Sequence, residues 1–361
     1  DAGTLAYYVN NVLGYTDSTI ATGTLLYPMT CNFNSTLNNY RNTSFNFGQR
    51  PFAYTAPSGY KALCTQNLPT PTIGATTATQ AGKYFNPVLY TGTAVSNSVS
   101  GVGFQPDMVW IKRRDAADNN VVDDAVRGAG QALITNSTVA EQNYTSAFTA
   151  FNSDGFSVGT NTNVVGDGKT FVGWQWKAGT AFSNDASSTS IGSIDSAGSV
   201  NQDAGFSICS YTGTGSAGTI KHGLNSTPST IILKNRIDGS VYWYMYHKSL
   251  GNNSELYLNG TDAAPGSTGA WNTTSPTSSV FSVGSHGGTN ASGQATIAYC
   301  FAEKKGYSKF GSYTGNGNAD GIFLHTGFKP AFFICKRYND AGYDWLMYDN
   351  KRQVSFNVID D

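Results

Sequence analysis

The sequence is poor in charge. Only 12% of its 361 residues are Asp, Glu, Lys or Arg, and the formal net charge is −1; an average soluble protein carries about 25% charged residues. No Lys/Arg block forms a basic face, so electrostatic binding to nucleic acid or to an anionic membrane surface is not supported. No apolar run reaches the length of about 18 residues that spans a bilayer, so no membrane insertion is predicted. The surface must be polar without being charged.

Cysteine is scarce and lacks the spacing of a structural site. The count is odd and there is no C-x-x-C pair, which argues against both a disulfide framework and a structural zinc site. The five cysteines are Cys31, Cys64, Cys209, Cys300 and Cys335. In the internal alignment described below, Cys335 takes the place of Ile111 and Leu233, and Cys300 takes the place of Gln175. We therefore predict buried or half-buried free thiols.

Sequence motifs of catalysis are also missing. The four histidines are His222, His247, His286 and His325. None belongs to a His-Glu-x-x-His pair, and there is no Gly-x-Ser-x-Gly elbow or phosphate-binding loop. Paired carboxylates for glycoside cleavage need two acids facing each other across a groove, a relation that a sequence does not reveal. We predict no catalytic residues and no cofactor.

The uncharged residues that dominate the sequence favour β-structure. Glycine occurs 41 times and aromatic residues make up 13% of the chain, alongside many Thr, Ser and Asn. Residues of high β propensity separated by turn formers indicate short strands, and no long apolar stripe with helical period competes with them. The sequence predicts an all-β protein.

The strongest positive signal is an internal repeat. A Tyr-Thr-Gly triplet begins at Tyr90, Tyr211 and Tyr313. Each triplet is followed at near-constant spacing by a proline, and each proline is followed six residues later by a lysine: Pro106 and Lys112, Pro228 and Lys234, Pro330 and Lys336. Such spacing predicts an array of similar units. Proline marks the start of a core strand, because its fixed φ favours a turn and because it has no N–H group for the hydrogen bonds between strands.

Three repeats follow from this spacing. Repeat 1 covers residues 84–180, with strands predicted at 108–112, 156–159 and 171–177, the last two as a pair. Repeat 2, with a preceding linker, covers residues 181–305 and reproduces these strands at 231–234, 281–284 and 297–301. Repeat 3 covers residues 306–361 and contains the strand at 331–336 but no counterpart of the later strands. We therefore expect the chain to be a segment of a longer polypeptide.

Two further regions complete the predicted organisation. Residues 1–69 differ from the repeats and contain a predicted hairpin over residues 4–15 with Asn10-Asn11 at its turn, and further strands near 27–30 and 44–48. Residues 70–83 are rich in small residues and are predicted to be a linker. A second small-residue stretch, 180–203, is predicted to contain an edge strand at 190–194, where apolar and polar residues alternate.

Several strings resemble known virion proteins. Residues 45–54 (FNFGQRPFAY) and 59–69 (GYKALCTQNLP) resemble the close of the SPRY-type domain of phage tail-fibre and other virion proteins. The repeats resemble a domain family that follows such modules, chiefly in marine bacteriophages. Its marks are residues 103–107 (GFQPD), 151–156 (FNSDGF), 174–179 (WQWKAG), 243–250 (WYMYHKSL) and 348–352 (YDNKR).

The resemblance implies a fold, a location and partners. It implies tandem antiparallel β-sandwich domains of the jelly-roll or concanavalin-like type, joined by short linkers, in a virion appendage such as a tail fibre. Residues 1–69 would be the C-terminal part of a SPRY-like sandwich. The expected partners are other virion proteins, host-surface glycans and further copies of the chain, with a trimer favoured. The family brings no catalytic residues.

Three tryptophans are candidate ligand platforms, because a flat aromatic face stacks on the C–H face of a sugar ring. These are Trp243, Trp271 and Trp345. Trp174 and Trp176 lie two apart in a predicted strand and so share one face, for which core packing is the favoured interpretation.

Two loops contain spaced oxygen ligands. Asn316, Asn318 and Asp320 imitate the opening of a calcium loop, but Gly327 stands where the acidic twelfth ligand belongs, so a plain turn is favoured. The acidic residues Asp115, Asp118, Asp123 and Asp124 lack ligand spacing, so a solvated loop is favoured there. We predict no metal site.

Three functional hypotheses remain open at this point. The leading one is a structural virion protein that adheres to host-surface glycans through the loops that differ between repeats. The second is a capsid or tail decoration protein with a purely structural role. The third, a polysaccharide-degrading enzyme, has no motif to support it.

Overall fold

The structure is a computed structural model that describes residues 5–9, 12–19, 46, 50–55, 71–266 and 269–352. The chain divides into two compact units, Asp1–Thr70 and Pro71–Asp361. Strands make up 36% of the structure and helices 6%, and the sheets are antiparallel, so the predicted all-β sandwich class is confirmed.

The first unit contains the predicted hairpin. Strands β1 (Leu5–Val9) and β2 (Val12–Asp17) pair antiparallel, with a register shift between Tyr7 and Tyr8. The strands predicted near 27–30 and 44–48 lie outside the described residues, apart from Asn46. Cys31 and Cys64 lie outside them as well, so the SPRY-like assignment of residues 1–69 stays a prediction.

The second unit begins with two short 3-10 turns, Thr77–Thr79 and Ala81–Lys83, in the segment predicted as a linker. Repeat 1 follows. Its elements are β3 (Phe85–Thr91), β4 (Asn97–Ser100), β5 (Met108–Arg113), β6 (Val121–Asp124), β7 (Gln131–Ile134), β8 (Gln142–Asn143), β9 (Phe148–Asn152), β10 (Gly155–Val158), α1 (Thr162–Val165) and β11 (Thr170–Trp176).

Repeat 1 is a sandwich of a large and a small sheet. The large sheet has the order β3-β11-β5-β6-β7-β8, and the small sheet has the order β4-β10-β9. A core that includes Val109, Ile111, Phe156 and Phe171 fills the space between them. The strands β10 and β11 were predicted to pair, and this is wrong. They lie in opposite sheets, because the helical turn α1 carries the chain from one layer to the other.

Repeat 2 and its preceding segment contain β12 (Thr180–Asn184), α2 (Ala186–Thr189), β13 (Ser196–Asn201), β14 (Phe206–Thr212), β15 (Gly218–Lys221), β16 (Thr230–Asn235), β17 (Tyr244–His247), β18 (Leu256–Tyr257), β19 (Val280–Val283), α3 (Gly287–Asn290) and β20 (Ala295–Phe301). Its large sheet has the order β12-β13-β14-β20-β16-β17-β18, and β15 pairs with β19. From β14 onward the order β14-β20-β16-β17-β18 matches the first five strands of the large sheet of repeat 1, β3-β11-β5-β6-β7, whereas β8 and β9 have no counterpart among the described strands of repeat 2.

The prediction of an edge strand at residues 190–194 is wrong. The sheet edge is formed instead by β12 and β13, and residues 190–194 contact β15 through the isolated bridge between Ile194 and Ile220 and through hydrogen bonds with Thr219. Asp185 accepts a hydrogen bond from the Ser188 amide and so caps the turn α2, which ends at Ser190 in the left-handed conformation (φ 56°). The capped turn α2 therefore determines the local structure here, and the alternation of apolar residues over 190–194 does not.

The structure explains the Tyr-Thr-Gly triplet of repeats 1 and 2. The Tyr90 hydroxyl donates to the Val164 carbonyl in α1 (2.6 Å), and the Tyr211 hydroxyl donates to the Thr289 carbonyl in α3 (2.5 Å). A Cβ on Gly92 would lie 2.2 Å from the Gly166 oxygen. The tyrosine therefore ties the strand to the helical turn that joins the sheets, and the glycine allows the turn to approach the strand.

The repeated lysine caps the loop that follows its strand. The Lys234 ammonium is buried and donates to the Val241 carbonyl of its own loop and to the Thr138 carbonyl of repeat 1, both at 2.8 Å. Burial lowers the pKa of Lys234 to about 8. Lys336 makes the same pair of contacts, to Tyr343 (2.6 Å) and to Thr261 of repeat 2 (3.3 Å).

Repeat 3 is described to residue 352 and contributes β21 (Phe332–Cys335) and β22 (Leu346–Asp349), which pair antiparallel. The strand predicted at 331–336 is confirmed. By position after the proline, β21 corresponds to β5 and β16, and β22 corresponds to β6 and β17.

The repeats do not stand apart, because the outer faces of their large sheets pack together. We call this apolar cluster the shared core. It consists chiefly of Met108, Trp110, Val122, Leu133, Val172, Trp174 and Trp176 of repeat 1, and Phe206, Ile208, Ile232, Trp243, Met245, Leu256, Ile297 and Tyr299 of repeat 2, with Phe332, Ile334, Trp345 and Met347 of repeat 3 packed against it. The predicted core role of Trp174 and Trp176 is confirmed.

Two interfaces repeat one set of contacts. The Trp243 indole N–H donates to the Ile134 carbonyl of repeat 1, and the Trp345 indole N–H donates to the Tyr257 carbonyl of repeat 2, both at 2.9 Å. A backbone hydrogen bond between repeats recurs as well. The Glu141 amide donates to the Arg236 carbonyl (2.9 Å), and the Ala264 amide donates to the Tyr338 carbonyl (2.7 Å). Repeat 2 therefore packs on repeat 1 as repeat 3 packs on repeat 2.

A third interface, between repeat 1 and repeat 3, closes the arrangement into a ring. The Tyr299 hydroxyl of repeat 2 donates to the Asp124 carboxylate of repeat 1 (2.6 Å), and the Trp174 indole N–H of repeat 1 donates to the Asp349 carboxylate of repeat 3 (3.0 Å). Trp174 and Tyr299 hold equivalent strand positions, as do Asp124 and Asp349. A head-to-tail interface that returns to its start forms a closed ring, which here lies within one chain.

The ring predicts a specific cost for losing the Tyr299 hydroxyl. Tyr299→Phe removes a hydrogen bond to a charged group between repeats and should lower the free energy of unfolding by about 1.5–3 kcal/mol. Tyr211→Phe is the matched control, because it removes an equally buried hydroxyl that binds a neutral carbonyl inside repeat 2 and should cost about 0.5–1.5 kcal/mol. Urea unfolding measures both. A Tyr299→Phe cost no larger than that of the control would contradict a role for Tyr299 as a tie between repeats.

Candidate functional site at the repeat junctions

A buried ionic network joins repeat 1 to repeat 2. The Arg127 guanidinium is fully buried and binds Asp124 (2.5 Å) and Glu141 (2.9 Å), and Arg236 of repeat 2 binds the other side of Glu141 (2.7 Å). Burial alone would lower the pKa of Arg127, but the charge of Asp124 and the Tyr299 hydroxyl outweigh it and raise the pKa well above its usual value. Each charge is thus paired, as buried charges must be.

Asp123 is the incompletely paired carboxylate beside this network. Its Oδ1 accepts the Gly130 amide (3.0 Å), whereas its Oδ2 is buried and has no hydrogen-bond partner among the described residues. Burial raises the pKa of Asp123 to about 7, against an opposing effect of Arg127. The carboxyl therefore takes up a proton near neutral pH.

Two of the three candidate tryptophans lie in cores. Trp243 is 1% exposed in the shared core, and Trp271 is 2% exposed in the interior of the repeat 2 sandwich, edge-on to Tyr246 with 5.7 Å between ring centroids. Neither presents a ring face to solvent. Their size serves packing, and Trp243 also supplies the hydrogen bond between repeats.

Trp345 is the half-buried candidate, and it contacts repeat 2 at Tyr257. Its indole N–H donates to the Tyr257 carbonyl, and the Tyr257 ring stacks on Tyr242 with centroids 4.7 Å apart. Tyr343, in the loop that packs on residues 261–264, lies under the Arg337 guanidinium at 4.3 Å. We name Tyr242, Tyr257, Tyr338 and Tyr343, which lie on or beside the segments that meet at the junction of repeats 2 and 3, the tyrosine patch.

The tyrosine patch combines exposed rings with charged neighbours. Tyr242 and Tyr338 are each 40% exposed and Tyr343 is 46% exposed. Burial, together with the charges of Glu255 and Asp262, raises the pKa of Tyr257 to about 12, and its hydroxyl donates to the Glu255 carboxylate (3.5 Å). Flat apolar faces beside such donors and acceptors match the alternating C–H faces and hydroxyls of a sugar.

The predicted metal candidates lie in an exposed loop held by its own backbone. The Asn316 and Asn318 side-chain oxygens accept the amides of Asn318 (3.0 Å) and Asp320 (3.1 Å) respectively. The described residues contain no group of three His, Cys, Asp or Glu side chains placed to hold a metal ion. Asp115 and Asp118, in the other candidate loop, both bind Arg113 at 2.6 Å. Asp123 and Asp124 are buried in β6, so the expected solvated loop is wrong for these two residues.

The histidines act as local caps. The Nδ1 atoms of His222, His247 and His286 accept the amides of Leu224, Ser249 and Gly288. Burial lowers the pKa of His222 to about 4, so this ring is neutral at pH 7. Each of these rings therefore shapes a turn.

The thiols that the structure describes are free. Cys209 and Cys300 are buried and Cys335 is half-buried, as predicted for these three. Burial raises the pKa of Cys209 to about 12, which keeps this thiol protonated and unreactive.

The tyrosine patch was not predicted from the sequence. Its members lie in or next to the loops β16–β17 and β21–β22 and on β18, far apart in sequence. A signal was present, because Trp243 and Trp345 hold the same repeat position, and Tyr242 lies one residue before Trp243 and Tyr343 two residues before Trp345.

The helices of the described residues span four residues at most, and none of them is long and apolar enough to cross a membrane. Comparison with known families matched residues 80–361 to a model described as "Domain of unknown function (DUF7483)". Searches of curated proteins and of solved structures gave no match.

Asp123 predicts a pH dependence of stability. Its pKa is about 7 in the folded chain against 3.8 ordinarily, so the folded state binds the proton more tightly and loses stability as pH rises from about 4 through 7. Asp123→Asn should therefore gain stability relative to the native chain as pH rises from about 4 to 7, by up to about 1.4 kcal/mol per pH unit, and the difference should level off at higher pH. Urea unfolding at several pH values measures this, with Asp167→Asn, at an exposed site, as the control. A constant difference across the range would refute the assignment.

Proposed function

The chain belongs to the DUF7483 family, which is described only as a domain of unknown function, and we propose that it is a structural virion protein of a bacteriophage that adheres to host-surface glycans. The tyrosine patch carries this proposal. It presents exposed aromatic rings beside hydrogen-bonding groups, on loops that are held by the junction between repeats 2 and 3.

The mechanical setting supports an adhesive role. The loop that contains Tyr343 is fixed by the Lys336 ammonium and by backbone hydrogen bonds to Thr261 and Ala264 of repeat 2. A rigid aromatic loses little conformational entropy when it stacks on a ligand. Weak affinity for one sugar is then multiplied by the number of copies on a particle.

The second candidate function is a purely structural one, as a capsid or tail decoration protein. The closed ring of repeats favours it, because the buried network of Arg127, Glu141 and Arg236 makes a stiff body that needs no ligand. In this case the partners are other virion proteins alone. A polysaccharide-degrading tailspike is the weaker alternative, since no described cluster of acids and histidines stands out as catalytic.

The proposed location is the virion surface, in a tail or other appendage, and the proposed partners include further copies of the chain. Three repeats of one chain already surround one core, so a homotrimer would need a separate interface. Light scattering over a range of concentrations would test the trimer, and a strict monomer would count against it.

Glycan binding predicts a loss on substitution in the tyrosine patch. Tyr242→Ala removes an exposed ring that stacks on Tyr257 and should weaken binding to host-surface polysaccharide about tenfold, equivalent to ~1.4 kcal/mol. Tyr54→Ala is the matched control, because Tyr54 is 55% exposed in the other unit, and it should bind as the native chain does. A glycan array followed by titration of the best ligand measures both.

The outcomes separate the candidate functions. No binding by the native chain to any host polysaccharide would remove the adhesive role and leave the decoration role. Equal binding by both variants would keep adhesion and show that the tyrosine patch is not its site. Release of reducing ends from the polysaccharide would favour the enzyme.

A further inference from the structure

The sequence contains two steps at which asparagine is followed by glycine, Asn259-Gly260 and Asn316-Gly317. Asparagine is a chemically labile residue, because the backbone amide that follows it can attack its side-chain carbonyl. Glycine in the second position assists the attack, since it has no Cβ to obstruct the approach and has a wide choice of backbone conformation. The two steps have the same residue types, so a difference in reactivity between them has to come from the structure.

The structure holds the first step in place. The Asn259 Oδ1 accepts the Trp243 amide (2.9 Å), and the Gly260 amide donates to the Tyr257 carbonyl (3.1 Å). Asn259 and Gly260 are both half-buried. An amide that already donates a hydrogen bond has to give up that bond before its nitrogen can act as a nucleophile. The Asn259-Gly260 step is therefore protected while the chain is folded.

The second step lies in an exposed loop and lacks this protection. Among the described residues the Gly317 amide has no hydrogen-bond partner. A Cβ built on Gly317 would meet no atom within 4 Å, and the residue has a φ of 70°, which glycine adopts without strain. The Gly317 nitrogen is therefore accessible and unengaged.

The exposure of Asn316 is a property that the three repeats share. Asn316 directly follows the Tyr-Thr-Gly triplet of repeat 3, as Thr93 and Thr214 follow the triplets of repeats 1 and 2. Thr93 and Thr214 are exposed as well, although each lies in a repeat with two packed sheets. The exposure therefore follows from the position of this loop in the repeat.

Hydrogen bonds within the loop hold the Asn316 side chain close to the Gly317 nitrogen. The Asn316 Oδ1 accepts the Asn318 amide (3.0 Å), and this bond closes a ring that contains both the Asn316 Cγ and the Gly317 nitrogen. The Asn316 Nδ2 donates to the Asp320 carbonyl (2.9 Å). A donor on Oδ1 stabilises the negative charge that develops on this oxygen when a nucleophile attacks Cγ. The loop thus favours attack by the Gly317 nitrogen.

We propose that Asn316 is a site of spontaneous deamidation. The Gly317 nitrogen gives up its proton and bonds to the Asn316 Cγ, while the Cγ–Nδ2 bond breaks and Nδ2 leaves with that proton as ammonia. Water then opens the cyclic succinimide at either of its carbonyls, which leaves aspartate or isoaspartate at position 316. Both products add a negative charge to the loop, and isoaspartate also lengthens its backbone. The reaction needs only water as a co-reactant.

Peptide mapping by mass spectrometry tests this proposal on the full chain, folded and incubated in mildly alkaline buffer. We expect progressive loss of Asn316 with isoaspartate among the products, and loss of Asn259 that is slower by about tenfold or more, because Asn259 reacts only after local unfolding. In a chain unfolded by urea the two steps should react at similar rates. Asn316→Gln is the control variant, because its longer side chain retains the amide but disfavours the cyclic product. It should remove the reaction at position 316 and leave that at Asn259 unchanged.

Two results would overturn the proposal. The first is an Asn316 that stays intact in the folded chain, which would mean that the loop protects this step as the strands protect Asn259. The second is equal loss of Asn259 and Asn316 in the folded chain, which would mean that the hydrogen bonds around Asn259 and Gly260 do not control reactivity.

Discussion

Both faces of the large sheets are apolar, and the rest of the structure depends on this. In a sandwich that stands alone, one face of each sheet packs on the core and the other faces water. Here the inner face of β11 packs in the repeat 1 sandwich through Phe171, and its outer face places Val172, Trp174 and Trp176 in the shared core. A single repeat would therefore expose a large apolar surface, which association with the other repeats removes.

The polar contacts around the shared core determine how the packed sheets are oriented relative to one another. Apolar packing is not directional, so it brings the sheets together without fixing their angle. The indole bonds of Trp243 and Trp345 and the carboxylate bonds of Asp124 and Asp349 each admit one arrangement. Because the same contacts recur from repeat to repeat, one interface geometry generates the whole ring.

The sequence predicted the elements well and their assembly poorly. The Pro-to-Lys spacing located β5, β16 and β21, because local turn chemistry determines where a core strand begins. The ring was not predictable in this way, since the Tyr299–Asp124 and Trp174–Asp349 contacts each join residues 175 apart. Alternation identifies two faces of a strand but does not say whether an apolar face meets its own sandwich or another repeat. For the same reason Trp243 was a candidate ligand platform, and the tyrosine patch, built from separate loops, was missed.

Native-state hydrogen exchange tests the ring most directly. If the shared core makes repeats 1 and 2 one cooperative unit, amides in β5 and β16 should approach a common opening free energy and a common denaturant dependence as urea is added. Distinct isotherms for the two strands, each with the smaller denaturant dependence of a single sandwich, would mean that the repeats unfold independently and would contradict the ring.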